Sequence, residues 1–139
     1  MTTELAEFVS RRARRLCEYC RMPKSVLELP FHVDHIIAVQ HRGRAIPENL
    51  AFACGRCNRF KGPNLSGIDP ETNQIVRLFD PRGQRWNEHF KFAGAVIVGQ
   101  SPTGRATVET LQMNHLHFLT LREEILLSGL SFDTTDPAL

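Results

Sequence analysis

The sequence lacks any run of roughly 18 consecutive apolar residues, so it predicts no membrane-spanning helix. The N-terminal residues also lack the apolar segment of a secretory signal, and we therefore expect the protein in the cytoplasm. Internal repeats and low-complexity segments are missing as well. The 139 residues, 42% hydrophobic and 23% charged, suffice for one globular domain with a modest core. These features exclude membrane proteins, repeat arrays and disordered chains.

A strong overall charge is absent too, because the formal net charge is only +2. The charge is unevenly spread, however, and residues 11–62 carry eleven Lys and Arg against four Asp and Glu. A basic block of this kind is typical of a surface that binds a polyanion such as a nucleic acid. The same count also fits a solvated charged face, so composition leaves both interpretations open.

Cysteine is scarce, but its four copies form two Cys-x-x-Cys pairs, Cys17/Cys20 and Cys54/Cys57, separated by 33 residues. In a cytoplasmic chain this spacing favours a metal site over disulfides. Each pair offers two thiolates from a tight turn, and two pairs complete the tetrahedral four-cysteine site of a structural zinc ion. Because such a site is closed, we expect this zinc not to be catalytic. A redox dithiol and reduced buried cysteines are the alternatives.

The segment between the pairs predicts a strand, a loop, a second strand and a short helix. Residues 31–39 are rich in β-formers, residues 40–48 form a polar loop, and residues 50–53 suit an antiparallel partner strand. Residues 55–61 predict a helix that ends at Gly62-Pro63.

The flanking regions add further helices and strands. Residues 75–79 and 95–98 predict strands, with the turn signal Asp80-Pro81-Arg82-Gly83 between them. Residues 131–139 are predicted to be disordered. Apolar residues at helical spacing predict three helices, over residues 4–16, 107–113 and 117–127.

The stretch His32-Val33-Asp34-His35-Ile36-Ile37 is not a pattern that a hydrophobic core requires. It places a carboxylate beside an imidazole, and two amides, Asn49 and Asn58, follow on later elements. This set of side chains suits a site that binds a metal ion and activates water. A lone histidine in a strand is more often a buried or edge residue, so the prediction depends on the four side chains together.

These residues and their spacing resemble the HNH endonuclease family. The matching motifs are Val33-Asp34-His35-Ile36, then Asn49-Leu50, then Cys54-Gly55-Arg56-Cys57-Asn58-Arg59-Phe60-Lys61-Gly62. The resemblance covers about residues 15–62 and includes both cysteine pairs. It implies a ββα-metal fold, one divalent ion and hydrolysis of phosphodiester bonds in nucleic acid.

The resemblance also implies a role for each residue. His35 is the general base that takes a proton from the attacking water, and Asp34 and Asn58 bind the catalytic metal. A free imidazole has a pKa of about 6.5, so a histidine can accept this proton near neutral pH. Asn49 braces the loop and so orients His35. The family's name has histidine where this chain has Asn58, and an amide oxygen favours Mg²⁺ or Mn²⁺.

Basic side chains around the motif are the candidates for binding nucleic acid, although each alone is more often solvated. Lys61 is equally well explained as a cation at a helix end. His32 is either a strand-edge residue or a neighbour of the site, and His41 is predicted to be a loop residue. The candidates are Arg42, Arg44, Arg56, Arg59 and Lys61.

The later sequence has a weaker similarity to the tail of stand-alone bacterial HNH proteins. It rests on the stretches Leu78-Phe79-Asp80-Pro81-Arg82, Trp86-Asn87-Glu88-His89-Phe90 and Gly104-Arg105-Ala106-Thr107-Val108. One interpretation is that aromatic residues here pack the tail onto the ββα unit. The other is that Arg82, His89 and Arg105 help to hold the nucleic acid.

The sequence therefore predicts one α+β domain over residues 1–139. Its ββα-metal core lies at about residues 15–62 and is stabilised by the four-cysteine zinc site. An N-terminal helix precedes this core. An extension of strands and helices follows it, at about residues 63–130. The predicted function is that of an endonuclease with structural Zn²⁺ and catalytic Mg²⁺ or Mn²⁺ that cuts one or both strands of DNA, with RNA as an alternative substrate. It is expected to act as a monomer or homodimer, with no membrane partner. The alternative is an inactive, zinc-stabilised nucleic-acid-binding module, which needs the cysteines and the basic block but not Asp34, His35 and Asn58 together.

Overall fold

The computed structural model describes residues 1–27 and 30–137, and these residues form an α+β fold, as predicted. They contain five α-helices and three two-stranded antiparallel sheets. None of these helices is long and apolar enough to cross a membrane. The helices are α1 (Thr3–Arg12), α2 (Gly55–Lys61), α3 (Trp86–His89), α4 (Pro102–Thr110) and α5 (Leu116–Leu127). The strands are β1 (Phe31–His35), β2 (Leu50–Cys54), β3 (Ser66–Ile68), β4 (Ile75–Arg77), β5 (Phe90–Ala93) and β6 (Val96–Gly99).

The centre of the fold is the hairpin of β1 and β2, which α2 follows directly. The two strands are antiparallel, and His35 at the end of β1 pairs with Leu50 at the start of β2. This confirms the predicted order of strand, loop, strand and helix. β1 ends at His35 and not at Val39, because the carbonyl oxygens of His35 and Ile36 accept hydrogen bonds from the Lys61 side chain instead of from a strand.

α1 is shorter than the hydrophobic pattern predicts. It is capped by Thr2, whose hydroxyl accepts a hydrogen bond from the backbone N–H of Leu5 at 3.1 Å. It ends at Arg12 and not at residue 16, because Arg14 and Arg15 both adopt a positive φ of 54°. This change of direction leads the chain into the first cysteine pair.

The C-terminal extension consists of two hairpins separated by α3 and followed by α4 and α5. β3 pairs with β4, and β5 pairs with β6. The strands predicted at residues 75–79 and 95–98 therefore belong to different hairpins, and β3, β5 and α3 are not evident from the sequence pattern. α4 begins at Pro102, ahead of the predicted residue 107, because the Ser101 hydroxyl caps it by accepting a hydrogen bond from Gly104 N at 2.9 Å.

Trp86 joins the extension to the first cysteine pair. Its side chain is fully buried, and its ring lies 5.0 Å from that of Phe90 and 5.3 Å from that of Phe92, between centroids. Its indole N–H donates a hydrogen bond to the carbonyl oxygen of Tyr19 at 2.8 Å. These aromatic contacts belong to one core cluster that reaches from the cysteines to α5.

The tail over residues 131–137 contains no helix or strand, yet its side chains contact the fold. The ring of Phe132 stacks on that of Phe92, with centroids 4.7 Å apart. The carboxylate of Asp133 forms an ion pair with Arg14 at 3.1 Å. The predicted disorder is therefore wrong for residues 131–137, and the last two residues of that prediction lie outside the described part of the chain.

Candidate metal centre and active site

The four cysteine sulfurs lie together in the interior. All four residues are buried, and their sulfur atoms lie within 4.8 Å of one another. Sγ of Cys20 and Sγ of Cys54 are 3.8 Å apart. With Zn–S bonds of about 2.3 Å, a tetrahedral site has sulfur–sulfur distances of about 3.8 Å, so the donor set fits zinc. The cysteines are thus positioned to bind one metal ion.

Backbone hydrogen bonds orient the two cysteine pairs in the same way. The N–H of Cys20 donates to Sγ of Cys17 at 3.5 Å, and the N–H of Cys57 donates to Sγ of Cys54 at 3.4 Å. Hydrogen bonding with Cys17 lowers the pKa of Cys54 and raises the pKa of Cys20 and of Cys57. A divalent cation bound among the four sulfurs would replace the protons that these cysteines now share in hydrogen bonds.

Asp34 is a buried carboxylate near the end of β1. It is 5% exposed, and its Oδ2 accepts a hydrogen bond from the Tyr19 hydroxyl at 2.7 Å. The ammonium of Lys61 lies 3.1 Å from Oδ2 and 3.4 Å from Oδ1. Burial raises the pKa of Asp34, while the Lys61 charge and the Tyr19 hydrogen bond act in the opposite direction. An ionised carboxylate has about four acceptor positions, so Asp34 retains capacity for a further partner.

Lys61 is a buried structural cation in this conformation. Its side chain is 2% exposed, and its ammonium also donates to the carbonyl oxygens of His35 and Ile36 at 3.1 Å each. An ammonium has three donor hydrogens, which the carboxylate and the two carbonyls account for. The structure therefore does not support the predicted contact of Lys61 with nucleic acid, because the side chain is directed inwards, from α2 to the end of β1.

Three of the predicted site residues, the general base and the two ligands of the catalytic metal, line one pocket at the surface. Asp34, His35 and Asn58 share an open pocket of about 340 Å³ between the end of β1 and α2. His35 and Asn58 are half-buried there. Asn58 lies one turn into α2, and the thiol of Cys54 caps this helix. The second cysteine pair thereby fixes the helix that carries Asn58.

Asn49 holds the loop that follows His35, and it lies outside the residues that line the pocket. Its Oδ1 accepts a hydrogen bond from the N–H of Ile37 at 2.9 Å. Its Nδ2 donates to the carbonyl oxygens of Ile37 and Arg44 at 3.0 and 2.9 Å. Gly43 is packed so closely that a Cβ there would overlap the Ile37 carbonyl oxygen. The hydrogen bonds of Asn49 therefore hold the backbone near His35 to the rest of the loop.

The candidates for binding nucleic acid divide into exposed and packed side chains. Arg42 and Arg44 are exposed on the loop, and Arg59 is exposed on α2. Arg56 is half-buried, with its guanidinium carbon 4.6 Å from the centre of the Phe60 ring. Of the predicted set, three arginines therefore face solvent, while Arg56 takes part in packing.

Residues 17–64 match the family model described as HNH endonuclease. On the strength of this match, residues 17–64 are called the HNH domain. The match begins at Cys17, the first member of the four-cysteine cluster, and ends just after α2, so it contains both cysteine pairs and the whole pocket. It confirms the resemblance found in the sequence. Comparison of the chain with curated proteins and with solved structures gave no match.

Two further histidines of the HNH domain lie outside the pocket. His32 and His41 are both exposed, and neither lines the pocket. His41 belongs to a short 3-10 helix of the loop, Val39–His41, in agreement with its prediction as a loop residue. His32 lies on the same strand as His35 without joining the pocket side chains, and it offers a matched control for His35.

Beyond the HNH domain, the basic residues of the extension have protein partners. Arg82 forms a buried ion pair with Glu18. Arg105 donates two hydrogen bonds to the carboxylate of Asp69, each at 2.9 Å. The ring of His89 shares a hydrogen bond with a serine hydroxyl at 2.6 Å. These contacts favour the packing interpretation of the extension over a direct role in holding nucleic acid.

Sequence reasoning does not find Glu18 and Tyr19, the two residues between the cysteines of the first pair. Both are buried in the HNH domain. Glu18 accepts a hydrogen bond from Phe52 N at 2.7 Å, and Tyr19 binds Asp34. The sequence does contain a feature that indicates them: two large polar residues lie in a tight turn between candidate metal ligands. Polar side chains that are buried in such a turn require specific hydrogen-bond partners.

Proposed function

We propose that the protein is a metal-dependent endonuclease that hydrolyses phosphodiester bonds in DNA. The observation that carries the proposal is the shared pocket of Asp34, His35 and Asn58, which combines a carboxylate, an imidazole and an amide at the surface of the HNH domain. The exposed Arg42 and Arg44 on the adjoining loop add the positive charge that attracts a polyanion.

The pocket residues fit a hydrated Mg²⁺ or Mn²⁺ ion. Asp34 and Asn58 offer oxygen donors, which both ions prefer, and two protein ligands leave positions for water and phosphate oxygens. When bound, the ion would stabilise negative charge on the phosphate and on the leaving oxygen. On the protein side, Tyr19 and Lys61 fix the orientation of the Asp34 carboxylate.

His35 is the general base of the proposed reaction. Its half-buried ring lines the pocket beside Asp34 and Asn58, where a water molecule has access. The neutral imidazole takes the proton from the attacking water. Asn49 is a positioning residue, because its three hydrogen bonds fix the backbone that directly follows His35. One pocket acts on one strand at a time, so a single copy produces nicks.

One observation favours a second candidate function, an inactive, zinc-stabilised nucleic-acid-binding module. The ammonium of Lys61 already neutralises Asp34 at 3.1 Å, and a neighbouring positive charge weakens the attraction of a carboxylate for a divalent ion. Such a module would keep the zinc site and the exposed arginines, but it would cut no nucleic acid.

The two functions are separated by cleavage of supercoiled plasmid in Mg²⁺, in Mn²⁺ and in EDTA, with a single-stranded RNA as a second substrate. For His35→Ala we expect nicking to fall by about 10²–10⁴-fold, because general-base assistance has this size. For Asn58→Ala we expect activity to move to higher Mg²⁺ concentration. DNA affinity, zinc content and melting temperature should remain near those of the wild type in both variants.

His32→Ala is the matched control, because His32 is an exposed histidine on the same strand outside the pocket. It should cut like the wild type. Equal rates for His35→Ala and His32→Ala would show that His35 is not the base. If the wild type binds DNA but cuts neither substrate with either ion, the binding module is the correct function.

A further inference from the structure

The most deeply buried cation outside the pocket is Arg122 on α5. Its side chain is 0% exposed. Its Nε donates to the carbonyl oxygen of Ala95 at 2.6 Å, and Nη2 donates to the carbonyl oxygen of Met113 at 2.7 Å and to Oδ1 of Asn114 at 3.0 Å. Its Nη1 is also buried, yet it has no hydrogen-bond partner in the part of the chain that the structure describes.

The charge of Arg122 has no carboxylate partner among the described residues either, although the other buried arginines, Arg21 and Arg82, each form an ion pair. All three hydrogen-bonded acceptors of Arg122 are uncharged oxygens. A buried cation normally has an anionic partner, because removing a charge from water is unfavourable without compensation. An anionic partner of Arg122 is therefore expected close to the unpaired Nη1.

Three cysteines of the four-cysteine cluster lie beside Arg122. Arg122 lines one narrow space together with Cys20, Cys54 and Cys57, and this space has almost no room for a water molecule. The buried Nη1 is therefore poorly placed to take water as its partner.

With zinc bound, the cluster and Arg122 would be oppositely charged neighbours. A zinc ion held by four thiolates would carry a net charge of −2 in an interior position, and Arg122 carries +1. We propose that Arg122 is the counter-ion of the zinc-loaded four-cysteine cluster and directs its free Nη1 donor towards the thiolates, so that the C-terminal extension raises the zinc affinity of the HNH domain. The proposal requires zinc in the cluster but not nuclease activity.

A merely structural role is the competing explanation, since Arg122 also links α5 to the residues before β6 and after α4. Three variants separate the two. Arg122→Met keeps most of the side-chain volume and removes the charge. Arg122→Lys keeps the charge and loses the planar guanidinium group with its several N–H donors. Arg105→Met is the matched control, because Arg105 is bound to Asp69 and not to the cysteines.

The measurement is zinc affinity of the full chain, by competition with a chromophoric chelator. Second-sphere hydrogen-bond partners typically change metal affinity by about 10–100-fold, so Arg122→Met should bind zinc weaker by this factor. Arg122→Lys keeps the charge and should therefore lose clearly less zinc affinity than Arg122→Met. Arg105→Met should lower the melting temperature without changing zinc affinity. Cobalt(II) substitution should give tetrathiolate absorption in all four proteins.

Wild-type zinc affinity for Arg122→Met would overturn the proposal. Equal weakening in Arg122→Met and Arg122→Lys would overturn it as well, because the fork geometry and not the charge would then be responsible. If Arg122→Met does not fold, Arg122→Gln takes its place, since it keeps amide donors for the carbonyls but lacks the charge. Arg122→Gln should then bind zinc about 10–100-fold more weakly than the wild type, and wild-type affinity for it would overturn the proposal.

Discussion

The ion pair between Lys61 and Asp34 makes a direct prediction about stability. The change is Lys61→Met, which keeps the length of the side chain and removes its charge. Lys61 is 2% exposed and Asp34 is 5% exposed, so the place of the missing ammonium is largely shielded from water. Of the partners of Asp34 in the described structure, the neutral hydroxyl of Tyr19 remains, and the carbonyls of His35 and Ile36 lose their common donor.

The expected loss is large because one member of a buried pair stays behind. Removing one partner of a buried ion pair costs about 3–5 kcal/mol, mostly through the uncompensated charge. A domain of this size has a total stability of about 5–15 kcal/mol, so the variant should remain folded but become markedly less stable. Replacing both partners removes the stranded charge, so the double variant Lys61→Met/Asp34→Asn should lose less than the sum of the single variants.

Urea unfolding at a fixed concentration of free zinc measures these differences. The wild type, both single variants and the double variant form a double-mutant cycle, and Lys91→Met is the control, because Lys91 is exposed on β5. Lys91→Met should stay within about 0.5 kcal/mol of the wild type. If Lys61→Met is as stable as Lys91→Met, or if the two changes at the pair are additive, the buried ion pair does not have the strength that its geometry indicates.

Two further predictions concern the metal and the nucleic acid. The Cys54→Ser variant should lose tightly bound zinc and unfold at a lower temperature than the wild type. Elemental analysis of the wild type should find about one zinc ion per chain. A wild-type protein that is fully folded without zinc would contradict this prediction. Binding of DNA duplexes should be nearly independent of sequence and should weaken steeply as the salt concentration rises. Arg42→Ala or Arg44→Ala should each reduce the slope of log affinity against log salt concentration by about one. A salt-independent affinity would exclude phosphate contacts by these arginines.

The order of the central elements could be predicted because each boundary has a local cause. The second cysteine pair provides the cap and first turn of α2, and Gly62-Pro63 stops this helix. The end of β1 could not be predicted in the same way. Residues 36–39 have the composition of a strand, but the carbonyls of His35 and Ile36 bind a lysine from a helix that is remote in sequence. A hydrophobic pattern contains no information about such a donor.

The functions of the basic side chains were harder to predict than the shared pocket of Asp34, His35 and Asn58. Sequence shows that Lys61, Arg82 and Arg105 are cationic, but their partners Asp34, Glu18 and Asp69 lie 27 to 64 residues away. Whether a cation binds phosphate or a carboxylate of its own chain depends on tertiary contacts. The loop arginines are different, because a polar loop between two strands has little opportunity to bury them.

The first cysteine pair connects the extension to the proposed metal ligand. The indole N–H of Trp86 holds the carbonyl oxygen of Tyr19 at 2.8 Å, and the hydroxyl of the same tyrosine holds Oδ2 of Asp34 at 2.7 Å. Tyr19 lies between two members of the four-cysteine cluster, so a metal ion bound there would restrain its backbone as well. The orientation of Asp34 therefore depends on the four-cysteine cluster, on the aromatic core of the extension and on Lys61 together. Loss of zinc should disturb the pocket even though the cysteines do not line it.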